Sequence, residues 1–200
     1  MGRDKASLPF GDESMLARVT RILANVVDPI VVVAAADQPL GELSVPVTYV
    51  RDRVANRGPL EGLAVGIAEL RDKVDMVYAT SCDVPLLVEG FVRQLIGRIG
   101  DHEIAVPKEE KYFHPLAAIY RVSVLQKIEE LLQADRRRPA FLFDAVDTLK
   151  ISVTELTVAD PKLNTLLNLN SPEDYRKALQ IAGFDVSEKL LAKLFEDRSN

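Results

Sequence analysis

Short apolar runs alternate with amphipathic segments along this chain, and this alternation limits the fold more than any other feature. Residues 30–34 are continuously apolar, which is typical of a strand in a parallel sheet covered on both faces. Apolar residues at helical spacing precede this run over 13–26 and follow it over 60–70 and 88–99. The alternation predicts βαβ units and an α/β fold built on a mostly parallel sheet.

The rest of the chain continues the pattern. Two helix starts are marked by capping residues: Asp12 is the expected N-cap of the first helix, and Ser171-Pro172 places Ser at the N-cap and Pro at the first position of the last helix. Further strands are predicted at 45–50, 74–80, 104–106, 116–120 and 150–153, and further helices at 122–132 and 139–146.

The bulk composition is that of an ordinary globular protein. With 200 residues and 22.1 kDa, the chain suits a single domain with one buried core. A net charge of −5 excludes general nucleic-acid binding through phosphate contacts, although a local basic site can hold a nucleotide. A single cysteine excludes a disulfide framework and a Cys-rich metal site.

No segment of the sequence suggests a membrane or a secretory route. The longest apolar stretch, 30–36, is far shorter than the ~20 residues that a membrane-spanning helix needs. A charged region followed by an apolar one, which would mark a secretory signal, does not open the chain. We therefore expect a soluble, cytoplasmic protein with neither membrane nor nucleic acid as a partner.

Asp83 is the residue that most sharply suggests chemistry. It lies in the turn 81–85, directly after the apolar run 74–80, and Pro85 prevents the strand from continuing. Ligands of open α/β sheets bind beyond the carboxyl ends of the strands. A carboxylate there suits Mg²⁺, which takes one or two protein carboxylates and completes its shell with water and substrate phosphates. The alternative is that Asp83 caps the following helix.

Other segments suggest contacts to a nucleotide. Met1-Gly2-Arg3-Asp4-Lys5 has the composition of half a phosphate-binding loop, with Lys5 as a mobile cation. Asp52 follows the predicted strand 45–50, and Gly58-Pro59-Leu60-Glu61-Gly62 predicts a tight turn into a helix whose N-terminus faces the ligand. The alternatives are a solvated lysine near the terminus and an aspartate in a surface turn.

These motifs occur in the order of one known family. The resemblance is to the MobA-like nucleotidyltransferases, whose namesake is molybdenum cofactor guanylyltransferase, and it covers residues 1–182. The motifs that carry it are Met1-Gly2-Arg3-Asp4-Lys5, Arg57-Gly58-Pro59-Leu60-Glu61-Gly62, Ser81-Cys82-Asp83-Val84-Pro85, His114-Pro115-Leu116 and Leu169-Asn170-Ser171-Pro172-Glu173-Asp174. The resemblance implies a Rossmann-like, three-layer α/β nucleotidyltransferase fold. We expect residues 183–200 to form a helical extension docked on this body, with a partner-binding helix as the alternative.

The family resemblance also implies a function and the residues that perform it. It implies an enzyme that transfers GMP from GTP to molybdopterin, with Mg²⁺ as cofactor and pyrophosphate as the leaving group. Candidate protein partners are proteins of molybdenum cofactor biosynthesis and molybdoenzyme chaperones. The implied catalytic residues are Asp83 and Lys5, with Asp83 as the metal ligand; the implied nucleotide contacts are Lys5, Asp52, Gly58, Pro59, Leu60 and Asp83; the implied acceptor contacts are His114, Asn168 and Asn170. For the last three, the alternative is hydrogen bonding to the backbone of their own loops.

The chain departs from the family pattern at two places. The family signature is a strand, a Gly-rich turn and a segment ending in Asp-Lys, and residues 1–5 match only its end. We therefore expect the first strand and the phosphate-cradling glycines to lie upstream of Met1, and neighbouring strand edges to be exposed. Where guanylyltransferases often place an asparagine against the nucleotide, this chain has Ala34-Ala35-Ala36, with Asp37 and Gln38 as alternatives.

Two other functions stay open on the sequence alone. One is a cytidylyltransferase or sugar-nucleotide transferase, because a shared fold does not fix the substrate. The other is a non-catalytic relative that binds nucleotide, because the signature loop is incomplete. The form of the segment 58–62 is closer to the guanylyl branch than to the cytidylyl branch of these enzymes.

Overall fold

The computed structural model describes residues 4–54 and 57–184. The strands are β1 Pro9–Phe10, β2 Glu13–Ser14, β3 Val31–Ala34, β4 Thr48–Arg51, β5 Met76–Thr80, β6 Ile104–Glu109, β7 Tyr112–Phe113, β8 Ala117–Arg121 and β9 Thr148–Ser152. The helices are α1 Met15–Leu23, α2 Pro59–Leu70, α3 Glu89–Arg98, α4 Leu125–Gln133, α5 Ala140–Phe143, α6 Val153–Leu156 and α7 Pro172–Ile181. The start of the signature segment, 1–3, and the expected helical extension from 185 onward lie outside the described residues.

The main strands form two separate hydrogen-bonded pieces. β3 and β4 pair in parallel, with Val31 opposite Thr48. The second piece has the order β5-β8-β6-β7, with β9 also paired to β6. β9 runs parallel to β6, whereas β8 lies antiparallel between β5 and β6, so β5, β6 and β9 share one direction. The predicted α/β fold is therefore present, with parallel pairing in β3–β4 and β6–β9. The pairings of β7 and β8 are antiparallel, which the alternation of strands and helices did not predict.

Helices cover both faces of these strands, which gives the three layers of the predicted fold. On one face, α2 and α4 bury a cluster that includes Leu60, Ile67, Ile128 and Tyr120. On the other face, α1 and α3 pack against the sheet through residues such as Val19 and Leu95. The glycine at position 66 allows α2 to approach β3 closely, since a Cβ there would lie 3.3 Å from Val33 Cγ2. Among the described helices, none is long and apolar enough to cross a membrane.

A cavity of about 440 Å³ lies between β3 and β5. Its walls are the two strands and the facing sides of α1 and α2, and most of its lining side chains are apolar. In the described part of the chain, β3 pairs only with β4 and β5 pairs only with β8, so the strand edges that face the cavity have no partner strand there. The polar residues that line the cavity include Gln38, Asp52 and Ser81, which come after β3, β4 and β5 respectively. Gly58, which directly precedes α2, lines it as well. The carboxyl ends of the strands are where ligands of open α/β sheets bind.

The first helix begins later than the sequence predicted. α1 starts at Met15, and the hydroxyl of Ser14 accepts a hydrogen bond from the backbone N–H of Ala17 at 3.1 Å. Asp12 is not its cap, because it lies in the turn of a short hairpin formed by β1 and β2. Gly11 in that turn has φ +70°, a left-handed conformation that favours glycine.

Two other element boundaries can be compared directly with the sequence. β4 begins at Thr48 rather than at residue 45, since its pairing with β3 starts with Val31 opposite Thr48 and Pro46 has no N–H to donate. The predicted start of the last helix is confirmed. Ser171 caps α7 in a reciprocal capping box with Asp174.

The last described helix packs on the N-terminal hairpin. Tyr175 of α7 donates a hydrogen bond from its hydroxyl to the Pro9 carbonyl and is fully buried with Phe10. Phe184, the last described residue, contacts Phe10 edge to face at a centroid distance of 5.5 Å, and Arg18 lies over both rings. The chain therefore still contacts the body just beyond residue 182, where we expect the domain to end.

Candidate active site

Asp83 lies at the centre of a polar cluster beyond the carboxyl end of β5. Its Oδ2 accepts a hydrogen bond from Lys5 Nζ at 2.9 Å, and its Oδ1 accepts one from the hydroxyl of Ser81. The backbone carbonyl of Asp83 also accepts a hydrogen bond from the N–H of Leu169 at 3.0 Å. Three distant segments of the chain therefore meet at this residue.

Lys5 is held in place by the residue before it. Asp4 Oδ1 accepts hydrogen bonds from the Ala6 N–H at 3.1 Å and from Gln38 Nε2 at 2.8 Å, which caps the short 3₁₀ turn Lys5–Ser7 and ties it to the segment after β3. Lys5 Nζ then donates to Asp83 and also to Asn170 Oδ1, at 2.9 Å in each case. The ammonium group thus lies beyond the carboxyl end of β5, between Asp83 and Asn170.

Asn170 is oriented by the start of α7. Its backbone N–H donates to Asp174 Oδ2 at 3.1 Å, and the N–H of Ser171 donates to the same oxygen at 2.9 Å. Hydrogen bonding by the Ser171 side chain, followed by these two backbone bonds, lowers the pKa of the Asp174 carboxyl. Asn168 lies exposed in the same loop. We call Lys5, Asp83 and Asn170 the Asp83 wall of the site.

Asp52, Gly58 and Pro59 line the cavity, and we call them the Asp52 wall. The backbone N–H of Asp52 donates to the Ala34 carbonyl at 2.9 Å, which continues the β3–β4 ladder. Its Oδ1 lies close to α2, since a Cβ built on Gly62 would be 3.9 Å from it. Burial raises the pKa of the Asp52 carboxyl, and the nearby Glu61 carboxylate raises it further.

The helix that follows the Asp52 wall starts without a side-chain cap. Gly58 is the N-cap of α2 with φ +77°, and Pro59 is the first helical residue, as the motif predicted. Leu60 is fully buried in the core between α2 and the sheet. This position leaves only its backbone for the predicted nucleotide contact.

The surroundings of His114 and Cys82 limit the chemistry of both side chains. His114 precedes β8, its backbone N–H donates to the Pro107 carbonyl at 3.0 Å, and burial lowers the pKa of its imidazole. Its Nε2 is buried without a partner among the described residues, and its acceptor role, like that of Asn168, stays a prediction. Burial and the Asp83 carboxylate raise the pKa of the Cys82 thiol to about 11, so it is protonated at neutral pH and unsuited to nucleophilic attack.

Gln38 forms a hydrogen bond to the segment 34–36, where guanylyltransferases often have an asparagine. Gln38 Oε1 accepts a hydrogen bond from the Ala35 N–H at 3.3 Å, while its Nε2 donates to Asp4, and the side chain lines the cavity. Asp37 is exposed. Of the two alternatives considered for this place, Gln38 is therefore the residue that lines the cavity.

Glu61 belongs to the motif 58–62, but the sequence predicted no function for it. In the structure its carboxylate is buried and pairs with Arg53 at 3.0 Å and with Arg57 at 3.9 Å. Arg57 and Glu61 are four residues apart, and this spacing was the signal in the sequence that could have indicated the pair.

The donor set beside Asp83 suits one kind of metal ion. No cluster of three or more His, Cys, Asp or Glu side chains arranged to hold a metal occurs in residues 4–54 and 57–184. Mg²⁺ does not need such a cluster, because one or two carboxylates are enough when water and substrate phosphates supply the other ligands. Asp83 offers hard carboxylate oxygens next to Ser81 and Cys82, which line the cavity, and therefore fits an ion of this class.

The chain is similar to proteins of one named class. The sequence profile of the MobA-like NTP transferase domain matches residues 1–148. A protein of Methanosarcina mazei named "Probable molybdenum cofactor guanylyltransferase" is 31% identical over 182 residues, 86% of this chain and 80% of that protein. A Mycobacterium tuberculosis protein of the same name is 32% identical over 185 residues, 90% of this chain and 87% of that protein.

A solved structure shares the fold. It is the molybdopterin-guanine dinucleotide biosynthesis protein A of Archaeoglobus fulgidus, with a TM-score of 0.76. The match covers 91% of this chain and 92% of that one at 19% sequence identity. This likeness shows the nucleotidyltransferase-like arrangement of the three layers.

Proposed function

The chain belongs to the MobA-like NTP transferase family, and from this membership we propose that it is a molybdenum cofactor guanylyltransferase. The reaction is the transfer of GMP from GTP to molybdopterin, with release of pyrophosphate. Two relatives that share about a third of its residues carry the name of this enzyme. The structural observation that carries the proposal is the contact of Lys5 with Asp83 and Asn170. The chain neighbours of this cluster, Ala6, Ser81 and Cys82, line a cavity that Asp52 and Gly58 also line.

Lys5 is the residue that receives the triphosphate. Its ammonium group is partly exposed and is balanced by one carboxylate, so an incoming phosphate can share or replace that partner. A cation at this place offsets the negative charge that develops as the bond to the leaving pyrophosphate breaks. The capped turn around Lys5 keeps the ammonium group at the opening before the substrate arrives.

The Asp83 wall also orients the acceptor. The terminal phosphate oxygen of molybdopterin forms a bond to the α-phosphorus, and the bond from that phosphorus to the bridging oxygen of pyrophosphate breaks. Asn170 holds the acceptor side of the opening, since its amide is fixed by Lys5 and by the first turn of α7. Holding both reactants in line supplies much of the rate enhancement in phosphoryl-type transfers.

Mg²⁺ is the cofactor that we propose, with Asp83 as the protein residue that holds it. When bound, such an ion polarises phosphate oxygens and neutralises part of the charge on the triphosphate. Asp52, Gly58 and Pro59 face the nucleotide from the other wall. The cytoplasmic location and the protein partners named from the sequence stay predictions.

The test is an assay of the chain with radiolabelled GTP and with molybdopterin as the acceptor. We expect pyrophosphate release that depends on the acceptor and on Mg²⁺, with CTP turned over far more slowly than GTP. Faster turnover of CTP would replace this proposal with the cytidylyltransferase alternative. Saturable binding of GTP in calorimetry without any turnover would favour the non-catalytic relative.

A further inference from the structure

Glu61 is a buried charge that the proposed reaction does not use directly. It lies in the first turn of α2 and only 2% of it is exposed. A buried carboxylate without partners would cost several kcal/mol, so its surroundings must compensate the charge. Arg53 Nε donates to Oε1 at 3.0 Å, and a terminal nitrogen of Arg57 lies 3.9 Å from Oε2.

The two arginines belong to the segment that leads from Asp52 to Gly58. This segment connects β4 to α2 and supplies the Asp52 wall. Arg53 follows Asp52 directly and Arg57 precedes Gly58 directly. The Glu61 carboxylate therefore contacts one residue next to Asp52 and one residue next to Gly58. The Arg53–Glu61 contact is a charge-assisted hydrogen bond, which is among the stronger kinds in proteins and also fixes geometry, whereas Arg57 at 3.9 Å forms an ion pair without a hydrogen bond.

The same arginines also reach a second helix. A terminal nitrogen of Arg57 donates to the Leu132 carbonyl near the end of α4 at 3.4 Å. Arg53 lies 3.6 Å from Glu129 of α4, an exposed carboxylate. Arg53 and Arg57 are therefore attached to α2 through the buried Glu61 carboxylate and to α4 through longer, more exposed contacts.

We infer that Glu61 is a positioning residue of the nucleotide pocket, which through Arg53 and Arg57 fixes the Asp52 wall against α2. The inference rests on the proposed function, since it assumes that this wall binds the nucleotide. Glu61 itself lies in the core and touches no substrate. Its carboxylate acts by restricting how far Asp52 and Gly58 can move from the cavity opening.

This role predicts a particular kinetic signature. Asp52 and Gly58 face the nucleotide away from the Lys5–Asp83 pair, so loosening them weakens binding in the ground state and in the transition state alike. Such a loss raises KM and leaves kcat unchanged. A purely structural role would instead lower the folded fraction, which reduces apparent kcat and leaves KM unchanged.

The test compares Glu61→Ala, Glu61→Asp and Arg53→Ala with the matched control Glu129→Ala, which removes the exposed partner of Arg53. We expect Glu61→Ala to raise the KM for GTP about tenfold, the size of one lost charge-assisted contact. Glu61→Asp restores the charge and should recover part of this loss. The control variant should keep the KM of the unaltered chain.

Arg53→Ala keeps the test decisive if Glu61→Ala does not fold, because the Arg53 side chain is about half exposed. We expect it to raise the KM several-fold, and in combination with Glu61→Ala to add less than its separate effect. An unchanged KM in Arg53→Ala and Glu61→Asp, or a lower kcat at constant KM, would overturn the inference.

A second measurement separates this inference from the proposed function. If the unaltered chain does not transfer GMP, amide hydrogen exchange at Asp52, Arg53 and Gly58 decides the matter. Faster exchange at these amides in Glu61→Ala, with no change in Glu129→Ala, would support the positioning role. Equal exchange in both variants would contradict it.

Discussion

The Asp83 wall and the Asp52 wall of the site balance their charges in different ways. In the Asp83 wall, Lys5 pairs directly with Asp83 and Asn170, which are 78 and 165 residues away along the chain. In the Asp52 wall, Asp52 faces another carboxylate, Glu61, whose charge is taken up by Arg53 and Arg57 within the same short stretch of sequence. The first wall presents charges that can change partners, whereas the second presents a carboxylate on a firmly held segment.

This difference indicates that the Asp83 wall serves the reaction and the Asp52 wall serves nucleotide binding. An ion pair that is partly open to solvent can exchange one anion for another at modest cost. In the Arg53–Glu61 pair the arginine is about half exposed but the carboxylate is buried, so losing the arginine would leave the Glu61 charge in the core without this partner. Substitutions in the Asp83 wall should therefore affect turnover, and those in the Asp52 wall should affect affinity and stability.

The largest effect is expected from Asp83→Ala. This change removes the predicted metal ligand and leaves Lys5 without its carboxylate, so turnover should fall more than tenfold, on the order of 10²-fold. The fold should persist, because the bond from Leu169 goes to the backbone carbonyl of Asp83 and is retained. Steady-state kinetics together with circular dichroism measure both quantities.

Asp147→Ala is the control for this change, since Asp147 is an exposed carboxylate paired with His102 outside both walls. It should leave turnover unaltered. Full activity in Asp83→Ala would remove Asp83 from the mechanism and abolish the contrast between the walls.

A smaller effect is expected from Lys5→Gln. The substitution keeps a hydrogen-bond donor but removes the charge, and kcat/KM should fall about tenfold, equivalent to ~1.4 kcal/mol of transition-state stabilisation. The effect is smaller than for Asp83→Ala because the ammonium group is partly exposed and therefore screened by salt.

Lys73→Gln, which removes an exposed lysine paired with Glu69, is the matched control. Kinetics at low and high ionic strength should show the loss in Lys5→Gln shrinking as salt rises. Equal activities of Lys5→Gln and Lys73→Gln at every salt concentration would refute a role for Lys5 at the phosphates.

The smallest effect is expected from Asp52→Asn, and it concerns stability. Because burial and Glu61 raise the pKa of the Asp52 carboxyl in the folded chain, its ionised form destabilises the fold once the pH exceeds that raised pKa. The cost disappears as the pH falls below the ordinary value of 3.8. Asp52→Asn should therefore raise the unfolding temperature at pH 7, on the order of 1 °C, and lose this advantage toward pH 4.

Thermal unfolding at the two pH values measures this, with Asp37→Asn as a control at an exposed aspartate. An equal rise of the unfolding temperature in the control would show that the ionised Asp52 carboxylate does not destabilise the fold. A rise in Asp52→Asn that grows as the pH falls would show the same.

Features that depend on local chemistry could be predicted from the sequence. Ser171 and Pro172 specify the start of α7 through contacts within a few residues, and the structure confirms it. The order of the motifs around Asp83 indicated the family, and the relatives confirm that membership. Motif recognition also selected the residues that form both walls, although their roles are still predictions.

Features that depend on tertiary contacts between distant segments could not be predicted from local sequence patterns. Asp12 is as good a helix cap as Ser14, and only the β1–β2 hairpin decides between them. An apolar run such as β8 does not state its direction, which is set by the strands on either side. Glu61 resembles an ordinary charged helix residue, and its burial becomes visible only when Arg53 and α4 are placed around it.

The bond from Lys5 to Asn170 has a consequence for how this chain becomes active during synthesis. The two residues are separated by 165 positions, and contacts of such long range form late in folding because a large loop must close first. A nascent chain on the ribosome exposes Lys5 long before Asn170 has been made. The Asp83 wall can therefore be complete only after the chain has been synthesised as far as Asn170.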